Sequence, residues 1–377
     1  MNFNSIFSNN DWKKLKEFEK LDLSEKQIVF YAESKASFNH FRLLIKEILE
    51  NYEYSICVVT SIKEENFFKD KRVRVFNIGV GTARTKFFIT LKTKILIMDL
   101  PDLNKFHIKK SKIYPVHYVY LFHSMFSVHS YLRENAVDEF DTIFCVGKHH
   151  LKEISETEKI YRLKNKNLIE YGFGRLDELY ELKKQVVVNE MNSILIVPSY
   201  GKNNLLENCG KQLIKILLEN GLDVILRPHY KTIKESKKII EDIKLEFKNY
   251  NNFRIHTEVI PNELFFNSKA MITDWSGISF EYAFITHKPV FFIDVPQKIL
   301  NPNYKNLGLE PIEIILREKI GFKINPKNLN YIIDLLNDKS KHKKIEEIDE
   351  CREQLVFNFT NSSKIGAIEI DKIIKNN

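Results

Sequence analysis

Short apolar runs alternate along this chain with longer stretches in which apolar residues recur at helical spacing. That alternation predicts parallel strands joined by helices. Residues 27–32 read as a first strand, 40–49 as its helix and 55–60 as a second strand, with further strands at 73–78, 94–98, 117–122 and 142–146. A helical and irregular stretch, 149–184, follows. The cycle then restarts with strand 193–197, helix 210–220, strand 222–226, helix 232–247 and strand 252–256. A short helix at 261–267, strand 270–273, a helix from Ser276 and strand 289–294 complete it. Two doubly wound units in series place a cleft at the carboxyl ends of their strands.

This pattern divides the chain into four parts: an N-terminal amphipathic helical segment (1–25), a first Rossmann-like domain (26–184), a second (185–335) and C-terminal helices (336–377) expected to pack back on the first. In the first segment Trp12, Leu15, Phe18 and Leu21 fall at helical spacing with Lys13, Lys14 and Lys16 between them. Such a helix lays its apolar stripe on the neighbouring domain. The alternative is peripheral contact with an anionic membrane.

Composition narrows the class. A chain of 377 residues exceeds what one core serves, and 29% charged with 44% hydrophobic residues excludes disorder. The formal net charge of +8 suits an anionic substrate or an acidic membrane surface, but it is spread along the chain rather than gathered into an arm, so no nucleic acid is expected. Cys57, Cys145, Cys209 and Cys351 form no CxxC pair, and neither a zinc site nor a disulfide framework is expected. With neither a signal peptide nor a bilayer-length apolar run, the expectation is a cytoplasmic protein, in peripheral contact at most with the inner face of the membrane.

The richest chemistry lies in Ile272-Thr273-Asp274-Trp275-Ser276-Gly277-Ile278-Ser279-Phe280-Glu281. It reads as a buried strand breaking into a helix whose first turn holds an anion, with Asp274 and Ser276 at the helix start and Gly277 admitting a ligand close to the backbone. Arg227-Pro228-His229, at the end of strand 222–226, reads as a second anion site. Two such sites imply a diphosphate.

The order Phe122-His123-Ser124, Tyr171-Gly172-Phe173-Gly174-Arg175-Leu176-Asp177, Arg227-Pro228-His229, Thr273-Asp274-Trp275-Ser276 and Lys288-Pro289-Val290 resembles the CDP-glycerol glycerophosphotransferases of teichoic acid and capsule synthesis. The resemblance runs from about residue 115 to 300 and is closest to the short, primase-like enzymes. It implies a GT-B fold, two facing Rossmann-like domains, and transfer of a glycerophosphate or related polyol phosphate from a CDP-linked donor to a lipid- or glycan-bound hydroxyl, with release of CMP. Two motifs depart from the family pattern. Phe122-His123-Ser124 stands for Trp-His-Gly, and Asp274-Trp275-Ser276-Gly277 for Asp-Tyr-Ser-Ser.

The resemblance makes His123 the base for the acceptor hydroxyl, since an imidazole titrates near neutrality. Arg227 and His229 would stabilise departing CMP, Asp274, Ser276 and Gly277 would hold the diphosphate, and Glu281 would reach a ribose hydroxyl. On the acceptor side stand Gly81 and Arg84, in a turn lacking the third glycine of a dinucleotide fingerprint, together with Ser124 and His129; His117 is a further neighbour. Arg175 and Asp177 read as a helix cap and hinge ion pair. His149 and His150, adjacent in an extended reading, point apart and make no metal pair. No metal and no cofactor besides the CDP-linked substrate are expected. Two other functions share the pattern: a GT-B glycosyltransferase using a nucleotide sugar, and a non-catalytic nucleotide-binding subunit of a surface-glycan assembly.

Overall fold

The computed structural model of the chain describes residues 9–62, 68–187, 189, 191–257 and 261–376. They form two compact units, one made of residues up to 178, 300–309 and 355 onward, the other of 179–299 and 310–354.

Unit 1 is built on seven parallel strands: β1 (Ile28–Ala32), β2 (Ile56–Thr60), β3 (Val73–Asn77), β4 (Ile95–Met98), β5 (His117–Leu121), β6 (Thr142–Cys145) and β7 (Asn167–Glu170). Their order is β3-β2-β1-β4-β5-β6-β7, with Ile28 level with both Ile56 and Ile95. Every residue of β1, β2 and β4 is buried, which is why these strands are unbroken apolar runs rather than alternating ones. Within unit 1, β7 is the strand that apolar periodicity does not reveal, as β13 (Phe322–Ile324) is in unit 2. β7 is an edge strand, Asn-Leu-Ile-Glu, none of it fully buried, so its sequence carries two polar residues in four.

The helices of this unit are α1 (Asn9–Glu19), α2 (Lys35–Asn51), α3 (Thr82–Thr90), α4 (Val128–Tyr131), α5 (Lys148–Tyr161), α6 (Gly174–Gln185), which leads out of it, and a last helix at 362–376. Leu15 and Phe18 of α1 are buried, and the Phe18 ring meets Phe76 and Phe87, each at 5.5 Å. The apolar stripe of α1 is thus spent on β3 and α3. The last helix lays Ala367, Ile370, Ile373 and Ile374 into the cluster of Phe41, Leu44, Ile45 and Ile48. Gly366 permits that approach, because a side chain there would come within 2.8 Å of Leu44.

The Tyr171–Asp177 motif receives this returning segment. Asp177 accepts from the backbone N–H groups of Thr360 (2.8 Å) and Ser362 (2.9 Å), and Phe173 N–H donates to Ser362 Oγ at 3.1 Å. Gly172, at φ +105°, lies against the Phe357 carbonyl, where any side chain would collide. Arg175 pairs with Glu178 at 2.5 Å, and Glu178 pairs in turn with Arg42 at 2.9 Å. Within unit 1 the motif therefore serves as a dock for the chain's own C-terminal segment.

Unit 2 repeats the plan with β8 (Ser193–Val197), β9 (Asp223–Leu226), β10 (Phe253–Ile255), β11 (Ala270–Thr273), β12 (Val290–Ile293) and β13 (Phe322–Ile324), in the order β10-β9-β8-β11-β12-β13. Both sheets follow the doubly wound order, with switch points between β1 and β4 and between β8 and β11. Its helices include α7 (Leu205–Glu219), α8 (Tyr230–Glu235), α9 (Lys237–Glu246), α10 (Asn262–Asn267), α11 (Ile278–Thr286), α12 (Ile312–Ile320), α13 (Tyr331–Asn337) and most of α14 (Ile345–Leu355), which makes the last helix α15 (Ser362–Asn376). The single helix expected over 232–247 is two, parted at Ser236 (φ −126°, ψ 44°). Among the described residues no helix is long and apolar enough to cross a membrane.

Candidate active site

In unit 1 the chain leaves β5 at Leu121 and turns through Phe122-His123-Ser124 at the carboxyl edge of the sheet. His123 Nδ1 lies 3.1 Å from the backbone carbonyl oxygen of Asp99, the residue following β4. A carbonyl only accepts, so Nδ1 carries the proton and the lone pair of the neutral ring is on Nε2. Asp99 is buried, and burial pushes its carboxyl up to about 7 against a hydrogen bond from Ser37.

The acceptor-side candidates fare differently. Arg84 is paired with Glu33 at 2.7 Å, and Glu33 is shared with His107 at 3.1 Å, so the charge of Arg84 is already countered. Gly81 precedes α3 with φ −90°; the left-handed residue of this turn is Gly79 (φ +62°), pressed against Asp11 of α1. Ser124 turns its hydroxyl back to accept from Phe126 N–H at 3.3 Å. His129 is buried, with Nδ1 3.1 Å from Glu153 and Nε2 donating to the Leu309 carbonyl at 3.1 Å. Burial raises Glu153, but His129, His149 and Ser127 outweigh it and hold the carboxyl below its ordinary range. These partners of Ser124 and His129 thus all lie within unit 1. His117, hydrogen-bonded to Thr142 at 2.8 Å, opens β5 and so lies at the sheet edge opposite His123.

His149 and His150 do not point apart. They begin a helix rather than extend a strand, and their rings lie 4.0 Å apart. His150 accepts from Val146 N–H at 3.3 Å and donates to the Phe126 carbonyl at 2.9 Å, while His149 donates to the Met125 carbonyl at 3.0 Å. Burial pushes the pKa of both down.

His40 of α2 is the third such histidine, held down to about 3 by burial and then by the charges of His123 and Arg175. Its unfolded value is about 6.5. The unfolded chain therefore binds a proton that the folded chain refuses, and this contribution, complete above pH 6.5, is lost as pH falls through the window toward 3. At pH 5 the loss from His40 alone is about 2 kcal/mol, from about 1.4 kcal/mol per pH unit. Urea midpoints at pH 7.5 and 5.0 should fall further for the native chain than for His40→Gln; equal losses would contradict the assignment.

In unit 2 the switch point is clasped by Asp274. Its Oδ1 accepts from the backbone N–H of Ser199 (2.6 Å) and of Trp275 (2.7 Å), and its Oδ2 from Leu205 N–H (2.9 Å). The carboxylate, expected to help hold the donor, is instead committed to joining the ends of β8 and β11 to the start of α7. Trp275 donates its indole N–H to the Val295 carbonyl at 3.1 Å and carries the Arg317 guanidinium 3.8 Å from its ring centre. Helix α11 begins at Ile278 with Gly277 as its cap residue and no side-chain cap, so neither Asp274 nor Ser276 caps it. Ser276 and Gly277 are half-buried at this N-terminus, where backbone donors and the helix dipole favour an anion.

Arg227 follows β9. Burial lowers its pKa and the opposing charge of Glu281 acts against that, so buried Glu281, on α11, is an electrostatic partner of Arg227. His229 caps α8, its Nδ1 accepting from Lys231 N–H at 3.2 Å. The neutral ring therefore carries its proton on Nε2, the opposite tautomer to His123.

Sequence patterns miss what surrounds His229. Tyr200, just beyond β8, stacks on its ring at 4.5 Å; Lys231 lies 4.3 Å and Lys298 3.1 Å from the centre of the same tyrosine. Burial pushes Lys298 down to about 7, with Asp274 opposing. Tyr200 and Lys298 come from separate loops and Lys231 from the first turn of α8, so no single spacing along the chain announces the set. Among the described residues no group of three or more His, Cys, Asp or Glu is arranged to hold a metal ion.

The sequence model of a known family, CDP-glycerol:poly(glycerophosphate) glycerophosphotransferase, matches residues 15–298, most of the chain. The chain belongs to the CDP-glycerol glycerophosphotransferase family. It is accordingly a glycerophosphotransferase-type enzyme. No curated protein matches the sequence. Among solved structures, the glycerophosphotransferase is similar to the wall teichoic acid polymerase TagF, in a histidine-to-asparagine variant soaked with CDPG, at TM-score 0.58 and 15% identity over 98% of this chain and 94% of that one. It is also similar to MnaA of S. aureus with UDP (0.56, 15%, 90% and 94%) and to the UDP-GlcNAc 2-epimerase of Methanocaldococcus jannaschii with UDP-GlcNAc and UDP (0.54, 13%, 86% and 98%). At these identities the likeness concerns the fold, which is of GT-B type.

Proposed function

We propose that this glycerophosphotransferase moves a glycerophosphate, or a related polyol phosphate, from a CDP-linked donor to a hydroxyl of a lipid- or glycan-bound acceptor in teichoic acid or related surface-polymer synthesis. The observation that carries the reading is the pair of histidines held in opposite tautomers, His123 by the Asp99 carbonyl and His229 by Lys231 N–H. One presents a lone pair and the other a proton.

In this reading His123 Nε2 takes the acceptor's hydroxyl proton as its oxygen attacks the glycerol-bearing phosphorus. A new P–O bond forms, the bond from that phosphorus to the bridging oxygen breaks, and CMP leaves with the electron pair. Arg227, His229 Nε2–H, Lys231 and Lys298 meet the charge on the diphosphate, joined by backbone donors at Ser276 and Gly277. His123 then releases its proton to water. Glu281 serves here by orienting Arg227.

Donor with labelled phosphorus beside the glycerol tests the reading: label in the product together with CMP release supports phosphotransfer. Unlabelled product would mean a glycosyl-type transfer. Nucleotide binding without turnover across CDP-polyols would mean a non-catalytic subunit. Arg227→Ala should weaken CDP binding by roughly 1–3 kcal/mol, about 5- to 150-fold, by calorimetric titration; unchanged affinity would place the donor elsewhere.

A lipid-bound acceptor implies work at the inner face of the membrane. With the apolar stripe of α1 buried, the exposed Lys13, Lys16 and Lys20 remain for contact with anionic lipid. Vesicle binding should then fall steeply with salt, and binding insensitive to salt would rule this contact out.

A further inference from the structure

The carboxyl edge of sheet 1 holds a polar cluster that neither base nor donor chemistry uses. It lies at the switch point between β1 and β4, where doubly wound sheets take ligands. Helix α2 starts there, with Ser34 at its cap position making no side-chain cap and its hydroxyl 3.4 Å from that of Ser37. Asp99 comes from the end of β4 and His40 from the second turn of α2; they are 6% and 9% exposed. Asp99 Oδ1 and His40 Nδ1 are both buried with no hydrogen-bond partner. A buried polar atom left unpaired is costly, so such atoms gather where something else completes them.

Building on the transferase reading, we propose that Ser34, Ser37, His40 and Asp99 form the subsite for the acceptor's terminal polyol beside His123. The chemistry of the set selects hydroxyls. Serine hydroxyls, a neutral imidazole and a carboxyl each donate or accept according to protonation, as hydroxyls themselves do. A phosphodiester only accepts, and the negative charge of any phosphate is repelled by a carboxylate at Asp99. Asp99 also ties the subsite to the base, since its side chain bonds Ser37 while its backbone carbonyl holds His123 Nδ1.

Glycerophosphoglycerol, two glycerols joined by a phosphodiester, is the probe, titrated without donor into the full chain and followed by calorimetry and by the imidazole NMR signals. The native chain should bind it, and Asp99→Ala should weaken it about 10-fold while CDP affinity stays within about twofold. Ser37→Ala removes one hydroxyl and carries the same test, with a smaller loss, should the Asp99 variant not fold. Failure of the native chain to bind the probe, native-like binding by folded variants, or competition by inorganic phosphate as strong as by the probe would each overturn the subsite. Turnover of CDP-glycerol is scored separately. Its absence with variant-sensitive probe binding removes the transferase reading alone; its presence with variant-insensitive binding removes the subsite alone.

Discussion

His123→Ala should lose about 10²- to 10⁴-fold in transfer rate while its affinity for CDP stays within a few fold. A general base acts as the hydroxyl proton moves, so its loss falls on turnover and not on ground-state binding of a donor held by other residues. The half-buried imidazole makes a 3.1 Å bond to the Asp99 carbonyl and belongs to no buried apolar cluster, so the variant should fold. CMP release and equilibrium dialysis with CDP separate the two quantities. Near-native turnover in a folded variant would remove His123 from the chemistry.

Asp274→Ala should act on unit 2 as a whole, lowering its stability by roughly 3–5 kcal/mol and abolishing CDP binding as a consequence. Three buried backbone N–H groups, of Ser199, Leu205 and Trp275, lose their acceptor together. Asparagine is no remedy, because one of its two positions becomes an amide donor facing donors, so Asp274→Asn should lose most of the same stability. Denaturant unfolding read from Trp275 fluorescence measures both. An Asn variant as stable as the native chain would show that a single oxygen suffices for the clasp.

Most of this architecture was legible because the central strands are buried on both faces and their apolar runs stand out from the amphipathic helices between them. What failed did so locally. β7 and β13 were hidden because both are edge strands, β7 half polar and β13 only three residues long. The break at Ser236 was hidden because Thr232–Glu235 and Lys237–Glu246 both carry helix-forming sequences. At the candidate site, position along the chain singled out His123, Arg227, His229 and the turn at Ser276 as candidates. It could not bring out the cluster of Tyr200, Lys231 and Lys298, which meet only once two loops and the start of α8 fold together, nor reveal that Asp274 and His129 have their polar atoms turned inward. The motif from Tyr171 to Asp177 stood out in sequence for a reason that is architectural, as it secures the returning C-terminal segment.

That return sets a timetable for biosynthesis. Unit 2 is complete in sequence by residue 354, whereas the sheet of unit 1, most of whose residues are made first, has no cover for Phe41, Leu44 and Ile45 until α15 leaves the ribosome. The earlier-made half of the protein is thus the later to mature, holding an apolar face open while some 180 further residues are translated. A ribosome that stops short of residue 362 releases a chain with a finished second unit and an unsealed first one, a ready substrate for chaperones and proteases.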